Sequence, residues 1–131
     1  EVNPGPTLNF AHLNTCSIAS CTTQCDKPAL IQEFLLDNSI DVMSVNETFL
    51  SNNELPSTIN TFTPPNFSFI HNPRPSGERG GGVGFIYSSY IKISRHTIPI
   101  YKSFESLCIK FTVDSKSFTI LTLYRPPAST V

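Results

Sequence analysis

The apolar residues of this chain follow a helical period near the N-terminus and strand-like patterns over most of the remainder. Four of them recur at intervals of three and four positions: Leu30, Ile31, Phe34 and Leu35. This spacing predicts one amphipathic helix. Asp26 is suited to be its N-cap, Pro28 is tolerated in its first turn, and Asn38 marks its end.

Short apolar segments on both sides of this helix predict two strands. The first covers residues 8–13 and the second covers residues 40–45. A strand, a loop, a helix and a strand joined by short connections form a βαβ unit, which favours two parallel strands in one sheet. This part of the chain therefore predicts a parallel strand pair covered by one helix.

The sequence beyond residue 47 carries strand patterns alone. Four further strands are predicted, over residues 67–71, 83–87, 106–113 and 118–124. Asp114–Ser117 separates the last two and favours a hairpin turn. One helix and about six strands predict an α/β fold with a mixed sheet. Because a single helix covers only one face of such a sheet, the other face is expected to need a layer that this chain lacks.

Composition and charge narrow the classes of function. The chain has 131 residues, of which 39% are hydrophobic, enough for one domain with a core. Its 9 Lys and Arg against 10 Asp and Glu give a net charge of −1, so bulk charge does not indicate nonspecific nucleic-acid binding. No apolar run approaches the roughly 20 residues of a membrane span, and no signal-peptide pattern is visible. An intracellular protein, nuclear or cytoplasmic and not secreted, is expected.

The cysteines leave three alternatives open. Cys16, Cys21, Cys25 and Cys108 are even in number, which permits two disulfides. Their spacing fits neither a disulfide scaffold nor a zinc ribbon well. Because a chain without an export signal is expected in a reducing compartment, free thiols are favoured over disulfides and over a metal site.

Three polar residues follow or end predicted strands. Glu47 comes after the strand at 40–45, where open α/β sheets place their ligand crevice, and its carboxylate suits a hard cation such as Mg²⁺. Asn14 follows the first strand, where its amide can bind phosphate or orient a water. Tyr124 ends the last strand, and Arg125 after it can bind phosphate with its planar guanidinium. Taken singly, the first three also fit ordinary roles as a loop glutamate, a turn asparagine and a packing tyrosine.

A glycine-rich segment precedes the strand at 83–87. Residues 80–84 lack the Lys and Ser/Thr of a phosphate-binding loop and lead into a strand instead of a helix. A tight turn that enters the strand is therefore the simpler interpretation. Arg74 and Arg79 lie just before it and suggest a mobile basic loop over a nucleic-acid backbone.

Four short motifs occur in order along the chain: Leu13–Ile18, Val45–Leu50, Gly80–Val83 and Tyr124–Pro127. Their order and approximate spacing resemble those of the endonuclease/exonuclease/phosphatase family. The resemblance is greatest to the apurinic-type endonuclease domains of non-LTR retrotransposons, LINE-like elements of the CR1/L2 kind. It extends from Leu8 over essentially the rest of the chain. Each motif is weak alone, and the four in order are a strong signal.

The resemblance implies a four-layer α/β sandwich of the DNase I type and Mg²⁺-dependent cleavage of DNA phosphodiesters, with Mn²⁺ as an alternative cation. By position, Asn14 matches the asparagine that contacts the active-site water or phosphate. Glu47 matches the metal-binding glutamate, and Tyr124 matches the tyrosine that donates a hydrogen bond to the scissile phosphate. Arg125 and Arg79 are further candidates for substrate binding. Cys16 departs from the pattern, since apurinic nucleases often carry an acidic residue there.

A larger departure concerns groups that the chain does not contain. The family's Asp-x-Asn motif and terminal Asp-His pair occur nowhere in this sequence. Residues 8–131 are therefore expected to be the N-terminal half of such a domain, inactive alone. Residues 1–7 form a Pro/Gly-rich lead-in whose Glu1–Pro6 resembles the end of a 2A-type ribosome-skipping peptide.

Two other functions remain open from the sequence. The chain could be a noncatalytic, truncated interaction module whose exposed sheet face binds the missing half, another partner or a second copy of itself. It could also be a phosphoesterase of the same fold that acts on small substrates, since fold does not settle substrate.

Overall fold

The computed structural model describes residues 7–127. Within this range two helices and seven strands follow one another: β1 (Phe10–Asn14), α1 (Lys27–Asp37), β2 (Val42–Asn46), α2 (Pro56–Phe62), β3 (Phe67–Asn72), β4 (Val83–Ser88), β5 (Ser94–Arg95), β6 (Glu105–Val113) and β7 (Lys116–Tyr124). The 2A-like stretch Glu1–Pro6 lies outside the described residues, as do the last four positions of the predicted domain. Neither helix in this range is long and apolar enough to cross a membrane.

The first sheet has the strand order β1-β2-β4-β3. Strands β1 and β2 are parallel, with Leu13 opposite Val45 and Asn14 opposite Asn46, whereas β4 pairs with both neighbours in antiparallel fashion. The predicted βαβ unit is confirmed. It brings the carboxyl ends of β1 and β2 to the same edge of the sheet.

Helix α1 begins and ends where the sequence predicts. The Asp26 carboxylate accepts a hydrogen bond from the Ala29 amide at 3.1 Å, and Asn38 is the C-cap directly after the last helical residue. Its buried stripe is narrower than predicted, because Leu30 and Phe34 are about half exposed. The helix therefore covers the sheet with one edge of its apolar face and leaves the other edge in solvent.

Helix α2 was not predicted. It has seven residues, too few for a recognisable helical period, and Pro56 occupies its first turn. It lies beside α1, where the Gln32 side chain donates to the Thr61 carbonyl oxygen at 2.6 Å. Its fully buried Phe62 packs edge-to-face on Phe69 of β3, with ring centroids 4.9 Å apart. Both helices thus cover the same face of the first sheet.

The second sheet has the order β5-β6-β7 and corrects the prediction of a single mixed sheet. The long hairpin β6–β7 turns through Asp114 and Ser115, which have φ values of 51° and 64°. Two successive residues with positive φ are typical of a type I′ hairpin turn. The turn is therefore two residues long, shorter than the predicted Asp114–Ser117.

The two sheets pack face to face, so the expectation that the first sheet lacks a second covering layer is wrong. One core lies between the helices and the first sheet and includes Leu35, Met43 and Ile86. A second core lies between the sheets and is formed by Val42, Val83, Phe85, Ile91, Leu107, Ile109 and Phe111. Because alternate residues of a strand point to opposite faces, β4 contributes to both cores.

One side of this sandwich remains apolar and exposed. Strands β1 and β7 are the outer strands of the two sheets at that side. A cleft of about 620 Å³ lies between them. Phe10, Leu121 and Leu123 line this cleft and are between 46% and 49% exposed, an unusual state for large apolar side chains that lie close together.

Candidate active site

The polar residues singled out from the sequence meet at one end of the sandwich. Asn14 and Asn46 are the last residues of β1 and β2 and face each other in the parallel register. Glu47 follows directly, and Tyr124 is the last residue of β7 in the other sheet. The structure therefore brings strand ends from both sheets to a common edge.

A hydrogen bond joins Glu47 to Tyr124 across the two sheets. The phenolic hydroxyl donates to Glu47 Oε1 at 2.5 Å, and both side chains are partly buried. A neutral O–H that donates to a carboxylate makes short, strong bonds of this kind. Residues 77 positions apart in sequence are thereby held as one unit.

The environment of Tyr124 keeps its proton in place. The hydrogen bond to Glu47, together with partial burial, raises the pKa of the phenol from 10.0 to about 12. The Tyr124 hydroxyl is therefore protonated throughout the physiological range. The phenol is therefore the donor in this bond, and Glu47 Oε1 is its acceptor.

Glu47→Ala is expected to return the pKa of Tyr124 toward its ordinary value of 10.0, because the acceptor that raises it is gone. In the unaltered chain the folded pKa is the raised one. The stability that the bond contributes is therefore fully present below pH 10 and is lost as the pH rises through about 12. Titration by NMR of ring-labelled tyrosine in EDTA measures this pKa, and Tyr124→Phe identifies the signal. An unchanged pKa in Glu47→Ala would contradict the assigned bond.

The backbone at Glu47 is held in an unusual conformation. Its φ is 51°, a left-handed value that non-glycine residues seldom adopt. Its carbonyl oxygen accepts hydrogen bonds from the Ser17 amide at 2.8 Å and from the Thr15 hydroxyl at 3.0 Å. The next residue, Thr48, donates its amide N–H to the Gly82 carbonyl oxygen at 3.3 Å. Loops on both sides therefore fix where the carboxylate points.

Two asparagines end the parallel strand pair next to Glu47. Asn14 is exposed, and its Oδ1 accepts a hydrogen bond from the Cys16 amide at 3.3 Å. Asn46 is only 8% exposed, and its Oδ1 has no hydrogen-bond partner among residues 7–127. A buried polar atom without a partner is rare and often marks a functional position. Sequence reasoning missed Asn46, although it directly precedes Glu47 within the motif Val45–Leu50.

The oxygen atoms at this edge fit part of a hard-cation site. Tyr124 occupies one oxygen of the Glu47 carboxylate, and no hydrogen bond within the described chain engages the other. Amide oxygens of Asn14 and Asn46 lie on the adjoining strand ends. Mg²⁺ is usually held by one or two carboxylates together with waters and substrate phosphate, which matches this donor set. Residues 7–127 contain no cluster of three or more His, Cys, Asp or Glu at metal-binding distances.

The basic residues near the site differ in how they are held. Arg125 and Arg79 are exposed, and neither forms a hydrogen bond to Glu47 or Tyr124. Arg74, which the sequence assigned to a mobile basic loop, is instead fixed by an ion pair with Glu105 at 2.9 Å. Sequence reasoning did not identify Glu105, because a carboxylate at the start of a strand carries no signal of its own.

All four cysteines within the described range are free thiols, as the sequence favoured. Cys16, Cys21 and Cys25 are exposed, whereas Cys108 is buried in β6. None of them joins Glu47 in a candidate metal cluster within the described range.

Comparison with known proteins identifies the fold. No protein-family profile matches the chain, and no curated protein sequence matches it. Among solved structures, it is similar to the AP endonuclease LMAP from Leishmania major, with a TM-score of 0.68 and 14% sequence identity. The match covers 94% of this chain and 41% of the AP endonuclease chain. The chain thus has the DNase I-like mixed α/β fold, with two packed sheets, and spans less than half the length of that structural neighbour.

Proposed function

We propose that this chain supplies part of the active site of a Mg²⁺-dependent endonuclease, a phosphodiesterase that nicks DNA. We further propose that it is the N-terminal part of the endonuclease domain of a retrotransposon polyprotein. The observation that carries the proposal is the Glu47–Tyr124 hydrogen bond at the carboxyl end of the parallel strand pair. The order of the four sequence motifs and the likeness to an AP endonuclease support it.

Each side chain has a role that follows from its chemistry. Tyr124 engages one carboxylate oxygen of Glu47. The other oxygen can bind a divalent cation, Mg²⁺ or alternatively Mn²⁺. When bound, such a cation neutralises phosphate charge and lowers the pKa of a bound water. Tyr124 keeps its single proton at neutral pH, so a phosphate oxygen that enters the site can compete with Glu47 for that donor. Asn14, exposed at the end of β1, can donate its amide N–H to the same phosphate.

Water activation needs groups that the described residues do not place beside Glu47. Hydrolysis of a phosphodiester requires a base or a metal-bound hydroxide to generate the nucleophile. Within residues 7–127, Glu47 belongs to no group of three or more His, Cys, Asp or Glu side chains that could hold a metal ion. We therefore propose that further polypeptide completes the site by pairing along β1 and β7, which would also cover Phe10 and Leu123.

The same exposed side favours a second candidate function, that of a noncatalytic interaction module. Three exposed large apolar side chains that line an open cleft, Phe10, Leu121 and Leu123, form a surface suited to association with another protein or with a second copy. Sedimentation at micromolar concentration tests this candidate. A monomer at all concentrations would count against self-association, and a concentration-dependent dimer would support it.

The proposed endonuclease is tested by nicking of supercoiled plasmid in Mg²⁺. These 131 residues alone are expected to show no nicking above buffer, because they supply one carboxylate of the site. A longer polypeptide that carries them within a complete two-sheet domain is expected to nick. Nicking by the 131-residue chain that disappears in Glu47→Ala would overturn the claim that the site is partial. A complete domain that never nicks would overturn the proposed activity.

A further inference from the structure

A buried carboxylate lies beside the candidate site without belonging to it. Glu105 is the first residue of β6, is 8% exposed, and stands opposite Tyr124 in the β6–β7 register. Its Oε1 accepts a hydrogen bond from the Gly82 amide at 2.6 Å, and its Oε2 accepts one from Arg74 Nε at 2.9 Å. Both carboxylate oxygens are thus used by segments that precede β4.

The glycine segment links this carboxylate to Glu47. The carbonyl oxygens of Gly81 and Gly82 accept hydrogen bonds from the amides of Phe49 at 2.9 Å and Thr48 at 3.3 Å. These two amides directly follow Glu47 in the chain. A continuous path of hydrogen bonds therefore runs from Glu105 through the glycine segment to the backbone that carries the candidate metal ligand.

The packing at Gly81 leaves no room for a side chain. Its φ is 63°, and a Cβ atom there would lie 2.5 Å from Arg74 Nε and 2.6 Å from Glu105 Oε1. Any larger residue would have to displace the ion pair. The Arg74 guanidinium lies across this glycine. It also donates to the Arg79 carbonyl oxygen at 3.2 Å and so joins the two ends of the loop 74–79.

We propose that Arg74 and Glu105 form a positioning pair: they hold Gly81–Gly82 against Thr48–Phe49 and so fix the left-handed Glu47 in the orientation that meets Tyr124. The catalytic meaning of this inference rests on the proposed function, but the geometric claim does not. Neither residue needs to contact substrate for this role.

The location of the pair argues for positioning over general stabilisation. A buried ion pair is weak evidence for stability, since desolvation of two charges offsets much of their attraction. Here the Glu105 carboxylate also accepts a backbone N–H, and removing it would leave the Gly82 amide without its acceptor and the Arg74 guanidinium without its counter-ion. The local damage would fall on the segment that holds Glu47.

Amide hydrogen exchange on the 131-residue chain tests the inference without any assay of activity. Glu105→Ala is expected to speed exchange at Thr48, Phe49 and Gly82 on the order of tenfold while amides of the β6–β7 hairpin keep their protection. In the same variant the ring signal of Tyr124 in the NMR spectrum should move toward its position in Glu47→Ala. Glu105→Gln keeps an acceptor for the Gly82 amide and should restore part of both readouts.

Two further variants provide a control and an alternative to Glu105→Ala. Glu78→Ala removes an exposed carboxylate from the same loop and should change neither readout. Gly81→Ala keeps residue Glu105 but adds a Cβ that must displace its carboxylate and the Arg74 guanidinium, so it should give the same local loss. It replaces Glu105→Ala in the test if that variant does not fold. Unchanged protection at Thr48 and Phe49, or equal acceleration over the whole chain, would overturn the positioning role. If both readouts behave as expected but the complete domain never nicks DNA, the inference stands and the proposed function fails.

Discussion

Glu47→Ala is expected to lower Mg²⁺-dependent nicking by about 10²–10³-fold in a polypeptide that carries this chain within a complete domain. The substitution removes the Glu47 carboxylate, which lies at the carboxyl end of the parallel strands β1 and β2. It also leaves the Tyr124 hydroxyl without its acceptor. Both effects act on charge that develops at the phosphate. The initial rate of plasmid relaxation at saturating Mg²⁺ measures the loss.

Two matched variants separate charge from geometry at this position. Glu47→Gln keeps an acceptor oxygen for the Tyr124 hydroxyl, so the fold should be retained while the negative charge that holds the cation is lost. Glu78→Ala, an exposed acidic residue of the loop before β4, should nick at the unaltered rate. A Glu47→Ala variant that nicks as fast as the parent would remove Glu47 from the site.

Phe85→Ala is expected to lower the free energy of unfolding by about 3–5 kcal/mol. Phe85 lies in β4, is fully buried and belongs to the core between the two sheets. Truncation to alanine leaves a cavity in that core, because strands held from both sides cannot close over the gap. Urea denaturation monitored by circular dichroism measures the change.

An exposed apolar residue provides the control for this experiment. Ile100 is 93% exposed, so Ile100→Ala should change stability by less than about 0.5 kcal/mol. A loss of under about 1 kcal/mol in Phe85→Ala would mean that β6–β7 does not pack on the first sheet as described. It would restore the single-sheet arrangement that the sequence pattern suggested.

Local chemistry explains which parts of the fold could be predicted. Helix α1 was predicted with its cap at Asp26 and its end at Asn38, because capping and period are short-range signals. The β6–β7 hairpin was predicted for the same reason, since turn residues lie between two alternating segments. Strand parallelism followed from the short βαβ connection.

Long-range pairing explains what could not be predicted. A strand pattern does not say which sheet the strand joins, so the packing of β6–β7 as a second layer was missed. Glu105 and Arg74 meet across 31 positions and have no motif of their own. Glu47 and Tyr124 were separate candidates, first from their positions at strand ends and then from the family resemblance, and only the folded chain joins them in one hydrogen bond.

The central claim is that Glu47 and Tyr124 mark a divalent-cation site, and Mn²⁺ binding tests it most directly. Paramagnetic broadening of NMR signals from the 131-residue chain should begin at residues beside Glu47 and Tyr124 as Mn²⁺ is added. In Glu47→Gln this local broadening should disappear, while Glu78→Ala should retain it. Broadening that is absent in the unaltered chain, or that persists unchanged in Glu47→Gln, would contradict the account.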